Sequence, residues 1–327
     1  MLTNLSIYRQ TPTRCAIFVA LLGLQGCGAS SDSGATADSW CGPSAGRWKD
    51  VAVGYGRTCG IRDNGCVACW GSKPDIDDTA GVVPHESEMA PPRDLLVRLD
   101  LSTRGMGESH DPACGITEDG GAVCWAEAGW AIVGETAEGP YQDIAAAYEF
   151  TIALDEVGGL HAWGDARRFW PEWADAGLWS SIAVSEDNFC AGNRDGKVRC
   201  TSGDLNVALW KLAMSYNGEV CGLDARGAAQ CYRFVLGEPT VSYLFEGRDF
   251  PETAYADLCL SSDRVCGLTL GGTIECWGDG GYPSVLDGVY KEIDCGHSYE
   301  CGVTTDGDIR CIDGSGRTDL PGMTPPD

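Results

Sequence analysis

The stretch that decides the fold is CGIRDNGCVACWG, residues 59–71, because altered copies of it recur along the chain. Six segments carry two cysteines ten residues apart, as Cys59 and Cys69 are here. A glycine-containing turn signal such as Asp195-Gly196 lies between the two cysteines, and glycine tolerates the positive φ of tight hairpin turns. Each segment therefore predicts a β-hairpin. The pairs are Cys59–Cys69, Cys114–Cys124, Cys190–Cys200, Cys221–Cys231, Cys266–Cys276 and Cys301–Cys311.

A seventh copy, TIALDEVGGLHAWG at residues 151–164, lacks both cysteines and has Ile152 and Ala162 in their places. Loss of both partners together is what a bonded pair would show, so each remaining pair predicts a cross-strand disulfide. Side chains two residues apart share one face of a strand. Apolar residues such as Ile61 and Val67 share the face of the cysteines, which predicts that the disulfides are buried.

A second element precedes each hairpin and consists of a large residue, two spacers and an aliphatic residue. Its copies are Trp48/Val51, Leu96/Leu99, Tyr141/Ile144, Trp179/Ile182, Leu209/Leu212, Tyr255/Leu258 and Tyr290/Ile293. Seven units of a few short strands predict an all-β, seven-bladed β-propeller of degenerate repeats with disulfides inside its hairpins. Only 30 residues separate Trp179 from Leu209, so the sequence leaves open whether this repeat forms a full four-stranded blade.

The combined pattern, aromatic-x-x-aliphatic followed by Cys-Gly, a turn and Cys-Trp-Gly, resembles the regulator-of-chromosome-condensation repeat family. The similarity is to the bacterial, exported, cysteine-paired variety. It covers Trp48 to about Leu320, and the copies ending in Cys69-Trp70-Gly71 and Cys276-Trp277-Gly278 match it best. The resemblance implies a seven-bladed propeller. The nuclear exchange-factor role of the family does not suit a chain that is predicted to be exported.

The N-terminus predicts export. Arg9 and Arg14 precede a ten-residue apolar run that ends at Leu24, which is long enough for a signal-peptide core and too short to span a bilayer. The following Leu24-Gln25-Gly26-Cys27 resembles the bacterial lipobox, in which the cysteine is lipidated. We therefore expect Cys27 to be the lipidated residue.

The predicted domains are a lipoprotein signal peptide at 1–26, a lipidated cysteine with a flexible tether at 27–40, and the propeller at 41–327. Gly28 follows the cysteine where an Asp would resemble an inner-membrane retention signal, so we expect an outer-membrane lipoprotein. The 18 cysteines agree with an oxidising compartment.

Four cysteines remain after the six pairs, Cys15 and Cys27 are set aside: Cys41, Cys66, Cys259 and Cys295. They allow three connectivities. We favour Cys41–Cys66, which ties the N-terminal segment to the first repeat, and Cys259–Cys295, which ties neighbouring repeats. Cys259 lies one residue after its aliphatic anchor and Cys295 lies two after its own, so the second bond is expected to need a β-bulge.

The charge and the motifs exclude several function classes. The net charge of −25 argues against nucleic acid, whose phosphates would be repelled. Cys66-x-x-Cys69 is the form of a redox or zinc motif, but no second ligand pair accompanies it. The four histidines are scattered and no catalytic constellation converges. We therefore expect no metal, no cofactor and no enzymatic activity.

An aromatic cluster supplies the candidate binding residues Phe169, Trp170 and Trp173, which lie in a connection between predicted strands. Aromatic residues in such a place either pack between blades or form a platform for a protein or a glycan.

The function expected from these features is that of a non-catalytic, lipid-anchored binding module for an unknown protein or glycan, held at the membrane only by its lipid. The alternatives are an inhibitor of a secreted enzyme and a propeller enzyme that acts on a glycan.

Overall fold

The computed structural model shows an all-β protein, as the sequence predicts, with one short α-helix among the residues it describes. The predicted signal peptide, Cys27, the tether, Cys41 and Phe169 lie outside these residues. No helix in the described part of the chain has the length and apolar character that crossing a bilayer requires. The described residues are 46–71, 92, 94–102, 112–125, 136–168, 170–235, 238–241, 253–262, 264–278, 284–297, 299–314, 316–318 and 325.

The described residues form 25 strands, a 3₁₀ turn at Asp165–Arg168 and helix α1 at Glu172–Ala176. The strands are β1 (Trp48–Val53), β2 (Arg57–Arg62), β3 (Val67–Gly71), β4 (Leu96–Leu101), β5 (Ala113–Thr117), β6 (Ala122–Trp125), β7 (Thr136–Ala137), β8 (Tyr141–Ala146), β9 (Phe150–Asp155), β10 (Leu160–Gly164), β11 (Trp179–Val184), β12 (Phe189–Asn193), β13 (Lys197–Cys200), β14 (Gly203–Ala208), β15 (Trp210–Met214), β16 (Val220–Leu223), β17 (Ala229–Val235), β18 (Glu238–Val241), β19 (Tyr255–Leu260), β20 (Arg264–Thr269), β21 (Ile274–Gly278), β22 (Ser284–Leu286), β23 (Tyr290–Cys295), β24 (Tyr299–Thr304) and β25 (Ile309–Asp313).

These strands pair into seven antiparallel sheets within the described residues, and each sheet uses strands that follow one another in the chain. In chain order, sheet 1 is β1–β3, sheet 2 is β4–β7, sheet 3 is β8–β10, sheet 4 is β11–β14, sheet 5 is β15–β18, sheet 6 is β19–β22 and sheet 7 is β23–β25. Every repeat of the sequence thus forms one sheet.

Sheet 4 settles a point that the sequence leaves open. Its 30-residue repeat does form four strands, because β14 begins at Gly203, only three residues after β13 ends at Cys200. A tight turn replaces the longer connections that sheets 2 and 6 have at this point, so a short spacing does not exclude a complete sheet.

The second and third strands of six sheets are joined by the expected disulfides. Each bonded pair occupies directly opposite positions in the strand register, as Cys59 and Cys69 do, with Cα atoms 4.0–4.1 Å apart. The hairpin disulfides are therefore confirmed. In sheet 3 the register instead pairs Ile152 with Ala162, as the seventh copy predicts.

The glycine that follows the first cysteine of a hairpin makes room for the large residue of the same repeat. A β-carbon on Gly267 would lie 2.5 Å from Cδ1 of Tyr255, and one on Gly302 would lie 2.7 Å from Cδ1 of Tyr290. Real carbon contacts are close to 4 Å, so no larger residue fits without displacing a buried ring. This contact explains why the large residue and Cys-Gly recur together.

Apolar clusters fill the spaces between successive sheets, and each cluster draws on two of them. Between sheets 6 and 7, Cys266 and Leu268 pack against Tyr290 and Ile293. Another cluster joins the last sheet to the first, through residues that include Val51, Val53, Cys301 and Val303. The sheets thus stack face to face, and the seventh packs on the first.

A repeated main-chain hydrogen bond joins the same neighbours. The N–H of each repeat's large residue donates to the carbonyl of the turn glycine in the preceding sheet, at 2.7–2.9 Å. The bond from Trp48 to Gly307 joins sheet 1 to sheet 7. Gly307 has a φ of +85°, which glycine adopts without strain. The donor–acceptor pairs are Trp48–Gly307, Leu96–Gly65, Tyr141–Gly120, Trp179–Gly158, Leu209–Gly196, Tyr255–Gly227 and Tyr290–Gly272.

A further disulfide, Cys259–Cys295, crosses from sheet 6 to sheet 7. The expectation that it needs a bulge at the cysteines was wrong. Leu258 packs towards sheet 5, whereas Cys259 points to sheet 7, and Cys295 shares with Ile293 the face that looks back to sheet 6. Two neighbouring sheets meet through opposite faces of equivalent strands, so the one-residue offset between the cysteines is what such a bond requires. Cys66 is also disulfide-bonded, and the bond proposed for it with Cys41 lies outside the described residues.

Candidate functional site

The first strands of all seven sheets surround a cavity of about 570 Å³. Six carboxylates and three cationic side chains lie among the residues that line it, so the cavity is acidic. The residue two places after the large residue of each repeat forms a layer in its wall. The members of this layer are Asp50, Arg98, Asp143, Ser181, Lys211, Asp257 and Glu292.

Two ion pairs connect neighbouring members of the layer. Arg98 Nε lies 2.6 Å from Asp143 Oδ1, which joins sheets 2 and 3. Lys211 Nζ lies 3.4 Å from Asp257 Oδ2, which joins sheets 5 and 6. Both pairs are partly exposed to the cavity, so solvent screens them and their contribution to stability is modest.

A second layer contains Asp100 and Asp294, which accept hydrogen bonds from the main chain of the next sheet. Asp100 Oδ2 accepts a 2.5 Å hydrogen bond from Ala146 N in sheet 3, and Asp294 Oδ2 accepts a 2.6 Å bond from Val53 N in sheet 1. The two aspartates occupy equivalent positions in their repeats, and each binds the next sheet in the stack. They therefore satisfy main-chain donors that the first strands leave unpaired at the cavity.

Burial raises the pKa values of several of these carboxyl groups, and repulsion between neighbouring carboxylates raises some of them further. Burial raises the pKa of Asp50 to about 6 and the pKa of Asp100 to about 7, although Arg98 lowers both. Burial, together with Asp50, raises the pKa of Glu292 to about 7. The pKa of Asp294 is also raised, by burial and then by Asp100. The cavity therefore holds protons near neutral pH, and an added cation would relieve the repulsion.

Metal binding has little support in the described residues. The one group of potential ligands there combines Cys266, Cys295 and Glu300, but both cysteines are in disulfides. Both oxygens of Glu300 accept 2.7 Å hydrogen bonds from Arg264 Nη2 in a buried ion pair between sheets 6 and 7. This group is therefore structural.

His161 is the histidine that lies next to a carboxylate, with Nε2 2.9 Å from Asp155 Oδ2. Asp155 also accepts main-chain hydrogen bonds from Val157 and Gly159 through Oδ1. The pair thus belongs to the exposed hairpin turn of sheet 3, where it stabilises the turn.

The two sides of the sheet stack differ in their exposed apolar residues. We call the side with the turns between second and third strands the turn face, and the side with the loops between first and second strands the loop face. Eight large aliphatic residues are exposed in the described chain, and six of them lie on the turn face. Those six are Leu95, Val97, Val157, Leu178, Leu270 and Val289, and the other two, Val235 and Val285, lie on outer strands.

The loop face carries an aromatic contact instead. The ring of His297, after β23, lies 5.0 Å from the ring of Tyr55 and 6.2 Å from that of Tyr216. Ser262 Oγ donates a 3.0 Å hydrogen bond to His297 O, and Asn217 Nδ2 donates a 3.1 Å bond to Ser262 O. The loops of sheets 1, 5, 6 and 7 are thus tied to one another.

The predicted binding residues Trp170 and Trp173 are half-buried between sheets 3 and 4. Trp170 stacks on Phe189 at 5.5 Å, and Trp173 lies 5.3 Å from Phe189 and 5.1 Å from Trp179. They pack next to α1 and against sheet 3, which is the sheet without a hairpin disulfide. The structure therefore places them in the packing role that the sequence left open, while the third residue of the cluster, Phe169, lies outside the described residues.

Neither the cavity nor the turn face was predicted from the sequence. The layer of the cavity wall that contains Asp50 has a sequence signal, because each of its members follows the large residue of its repeat by two places. The sequence signal of the apolar turn face is weaker. Some of its residues are in turns and others are at the starts of strands, and they become neighbours only when the sheets stack.

No protein-family model matches the chain, and no curated protein matches it either. The ectodomain of the receptor kinase CR4 from Physcomitrella patens is similar in structure, with a TM-score of 0.60 and 20% identity, over 82% of this chain and 74% of that one. The β-propeller domain of Cps50 (Swd1) from Myceliophteria thermophila has a TM-score of 0.54 and 11% identity, over 81% and 95% of the two chains. The fold is that of a β-propeller.

The similar structures also include yeast RCC1 (Prp20), solved with Kap60 bound. It shows a TM-score of 0.40 and 16% identity, over 81% of this chain and 70% of that chain. The identities with the CR4 ectodomain and with Cps50 are low, so those two likenesses describe the fold alone.

Proposed function

We propose that the protein is an exported, lipid-anchored, seven-bladed propeller that acts as a non-catalytic protein-interaction module. The concentration of exposed aliphatic residues on the turn face carries this proposal. Six of the eight exposed large aliphatic residues lie on this one side, and exposed apolar side chains gathered on one side of a folded chain are typical of an interaction surface.

The seven blades are supported by the equivalence of the junctions between sheets. The contact between sheets 7 and 1 uses the same hydrogen bond, Trp48 to Gly307, as the six contacts between consecutive sheets. Asp294 in sheet 7 binds Val53 in sheet 1 in the same way as Asp100 in sheet 2 binds Ala146 in sheet 3. A ring closed by one repeated contact suits a rigid display scaffold.

The contacts that the cavity carboxylates make support the non-catalytic role. Asp100 and Asp294 bind main-chain N–H groups, while Asp143 and Asp257 pair with cations. These contacts hold neighbouring sheets together, so four of the six cavity carboxylates have a structural role.

Export and lipid anchoring are supported by the lipobox at Leu24–Cys27 and by the disulfides, which persist in oxidising compartments. The Cys27→Ser variant tests this part of the proposal. We expect it to leave the membrane fraction, whereas the unaltered chain stays there. A variant that remains with the membrane would contradict the lipid anchor.

Affinity capture tests the interaction itself. The oxidised full chain serves as bait against envelope and secreted fractions, and its fully reduced, unfolded form serves as the control. We expect a stoichiometric protein that binds only the oxidised bait. An enzyme that loses activity on binding would favour the inhibitor role. Turnover of a glycan by the purified chain, or no partner in any fraction, would contradict the proposal.

A further inference from the structure

We propose that the turn face binds a protein segment that combines aliphatic and basic side chains, and that a basic side chain of this segment enters the acidic cavity. This inference rests on the proposed interaction function and adds the face and the chemistry of the partner. It depends on two apolar pairs, on the charge of the turns and on the opening of the cavity.

The first apolar pair is Val157 and Leu178, whose side chains are 76% and 74% exposed. Val157 is at the tip of the sheet 3 hairpin, and Leu178 precedes the first strand of sheet 4. The hydrogen bond from Trp179 N to Gly158 O, 2.8 Å long, fixes their backbones side by side. Two aliphatic side chains are therefore presented together on a rigid junction.

The second pair, Leu270 and Val289, lies between sheets 6 and 7 with 75% and 54% exposure, and its turn residue stands two places before the acceptor glycine Gly272 instead of one. Tyr290 N donates to Gly272 O at 2.7 Å, and Thr305 N donates to Val289 O at 2.9 Å. Val289 is thus held between two turns. The junction of sheets 6 and 7 lies three junctions beyond that of sheets 3 and 4, so the two pairs flank the central cavity instead of forming one spot.

The turns around these pairs are mainly acidic. An exposed carboxylate occurs in the turns of five sheets, and these residues are Asp63, Asp119, Glu156, Asp195 and Asp306. Exposed carboxylates around an apolar contact favour a partner of opposite charge and repel one of like charge.

The cavity reaches the same face, since the exposed Arg194, in the turn of sheet 4, is among its lining residues. Glu292 and Asp143 lie in the charged layer below, in a space of about 570 Å³ that can hold an extended Lys or Arg side chain. Their pKa values are raised by burial, so a bound cation would stabilise their charged forms. The cavity and the turns thus both favour a positively charged ligand.

Two other occupants fit less well. A second copy of this chain would bring another acidic turn face, and like charges would oppose each other. A membrane with anionic lipids would be repelled for the same reason. A basic, aliphatic protein segment satisfies both the apolar pairs and the charge.

The test uses defined probes: 16-residue peptides that alternate Leu with Lys, Leu with Glu, or Ser with Lys. Binding to the oxidised full chain is followed by fluorescence anisotropy. We expect the Leu–Lys peptide to bind most tightly. The Val157→Ser/Leu178→Ser and Leu270→Ser/Val289→Ser variants should each weaken it by at least about tenfold. The matched control, Val235→Ser/Val285→Ser, removes exposed aliphatics elsewhere and should leave binding unchanged.

Glu292→Gln tests the cavity, and we expect it to weaken binding of the Leu–Lys peptide about threefold and to reduce its salt dependence. Equal binding of the Leu–Glu peptide, or full binding by both serine variants, would overturn the inference. So would binding to phosphatidylcholine vesicles that the serine variants abolish, because the face would then belong to a lipid.

The proposed interaction function has outcomes of its own. A captured partner that still binds a chain carrying all four serine substitutions would leave the interaction function standing and overturn only this inference. Failure to capture any partner with the unaltered chain would overturn the interaction function as well.

Discussion

The main-chain N–H of Trp48, in the first sheet, donates a 2.9 Å hydrogen bond to the carbonyl oxygen of Gly307, in the last. The two residues are separated by nearly the whole folded chain, and yet their contact is the one that joins every consecutive pair of sheets. The repeat therefore encodes both a sheet and its junction with the next one, and the last junction closes the stack on its first member.

The glycine beneath the large residue should be irreplaceable. Gly267→Ala places a methyl group 2.5 Å from the buried ring of Tyr255, so we expect a loss of about 1–3 kcal/mol in the free energy of unfolding. Gly271→Ala is the control, because its nearest neighbour would lie 3.7 Å away, and it should change stability by less than about 0.5 kcal/mol. Urea denaturation measures both, and equal losses would refute the packing explanation.

The disulfide between sheets should stabilise the chain more than one inside a hairpin. Cys259–Cys295 joins residues 36 apart, whereas Cys266–Cys276 joins residues ten apart. In the chain-entropy model their removal costs about 4 and about 3 kcal/mol, respectively. Denaturation of the two double-alanine variants under non-reducing conditions tests the order. A larger loss for the hairpin variant would show that local strain or contacts dominate.

Stability should fall as the pH rises from about 4 to about 7. The folded chain raises the pKa of Asp50 to about 6 and of Asp100 and Glu292 to about 7, so between these values and the unfolded ones it binds more protons than the unfolded chain does. The contribution of these groups is complete below the unfolded pKa and is lost as the pH passes the folded pKa.

Asp100→Asn should remove part of this pH dependence, because the amide oxygen still accepts the bond from Ala146 N but carries no charge. We expect a Tm higher by about 2–4 °C at pH 8 and nearly unchanged at pH 4. Asp187→Asn, on an exposed loop, is the control. A Tm that rises with pH, or a loss of stability in Asp100→Asn at pH 8, contradicts this account of the cavity.

The aromatic cluster should matter for stability. Trp173 packs against Phe189 and Trp179 where sheet 3 has no disulfide, so Trp173→Ala should cost about 2–4 kcal/mol. Leu178→Ala, which changes a 74% exposed side chain in the same segment, should cost less than about 0.5 kcal/mol. Thermal unfolding tests both. A Trp173→Ala variant of normal stability that loses its partner would restore the binding role instead.

The repeat made much of the fold predictable, because cysteine pairs, turn glycines and large residues each report a local geometry. The pairing of Cys59 with Cys69 and the loss of both partners at Ile152 and Ala162 needed only strand periodicity. The bond between Cys259 and Cys295 was harder to explain from one strand, because its geometry depends on which faces of two sheets meet.

The functional surfaces were less predictable, because they arise only when the sheets stack. Val157 and Leu178 belong to different repeats, and nothing in either repeat shows that a hydrogen bond from Trp179 sets them side by side. Trp173 stood out by composition, but composition cannot tell a packed ring from a presented one. The junctions between sheets decide which of these residues become neighbours.

Photo-crosslinking in cells that produce the chain tests the central claim most directly. A benzophenone side chain replaces Val157 or Leu270 on the turn face, and Glu149 or Asp187 on the loop face. The account predicts a discrete protein adduct from the two turn-face positions and none from the other two. Adducts from the loop face alone would contradict the assigned surface, and the lack of an adduct at all four positions would contradict an interaction module.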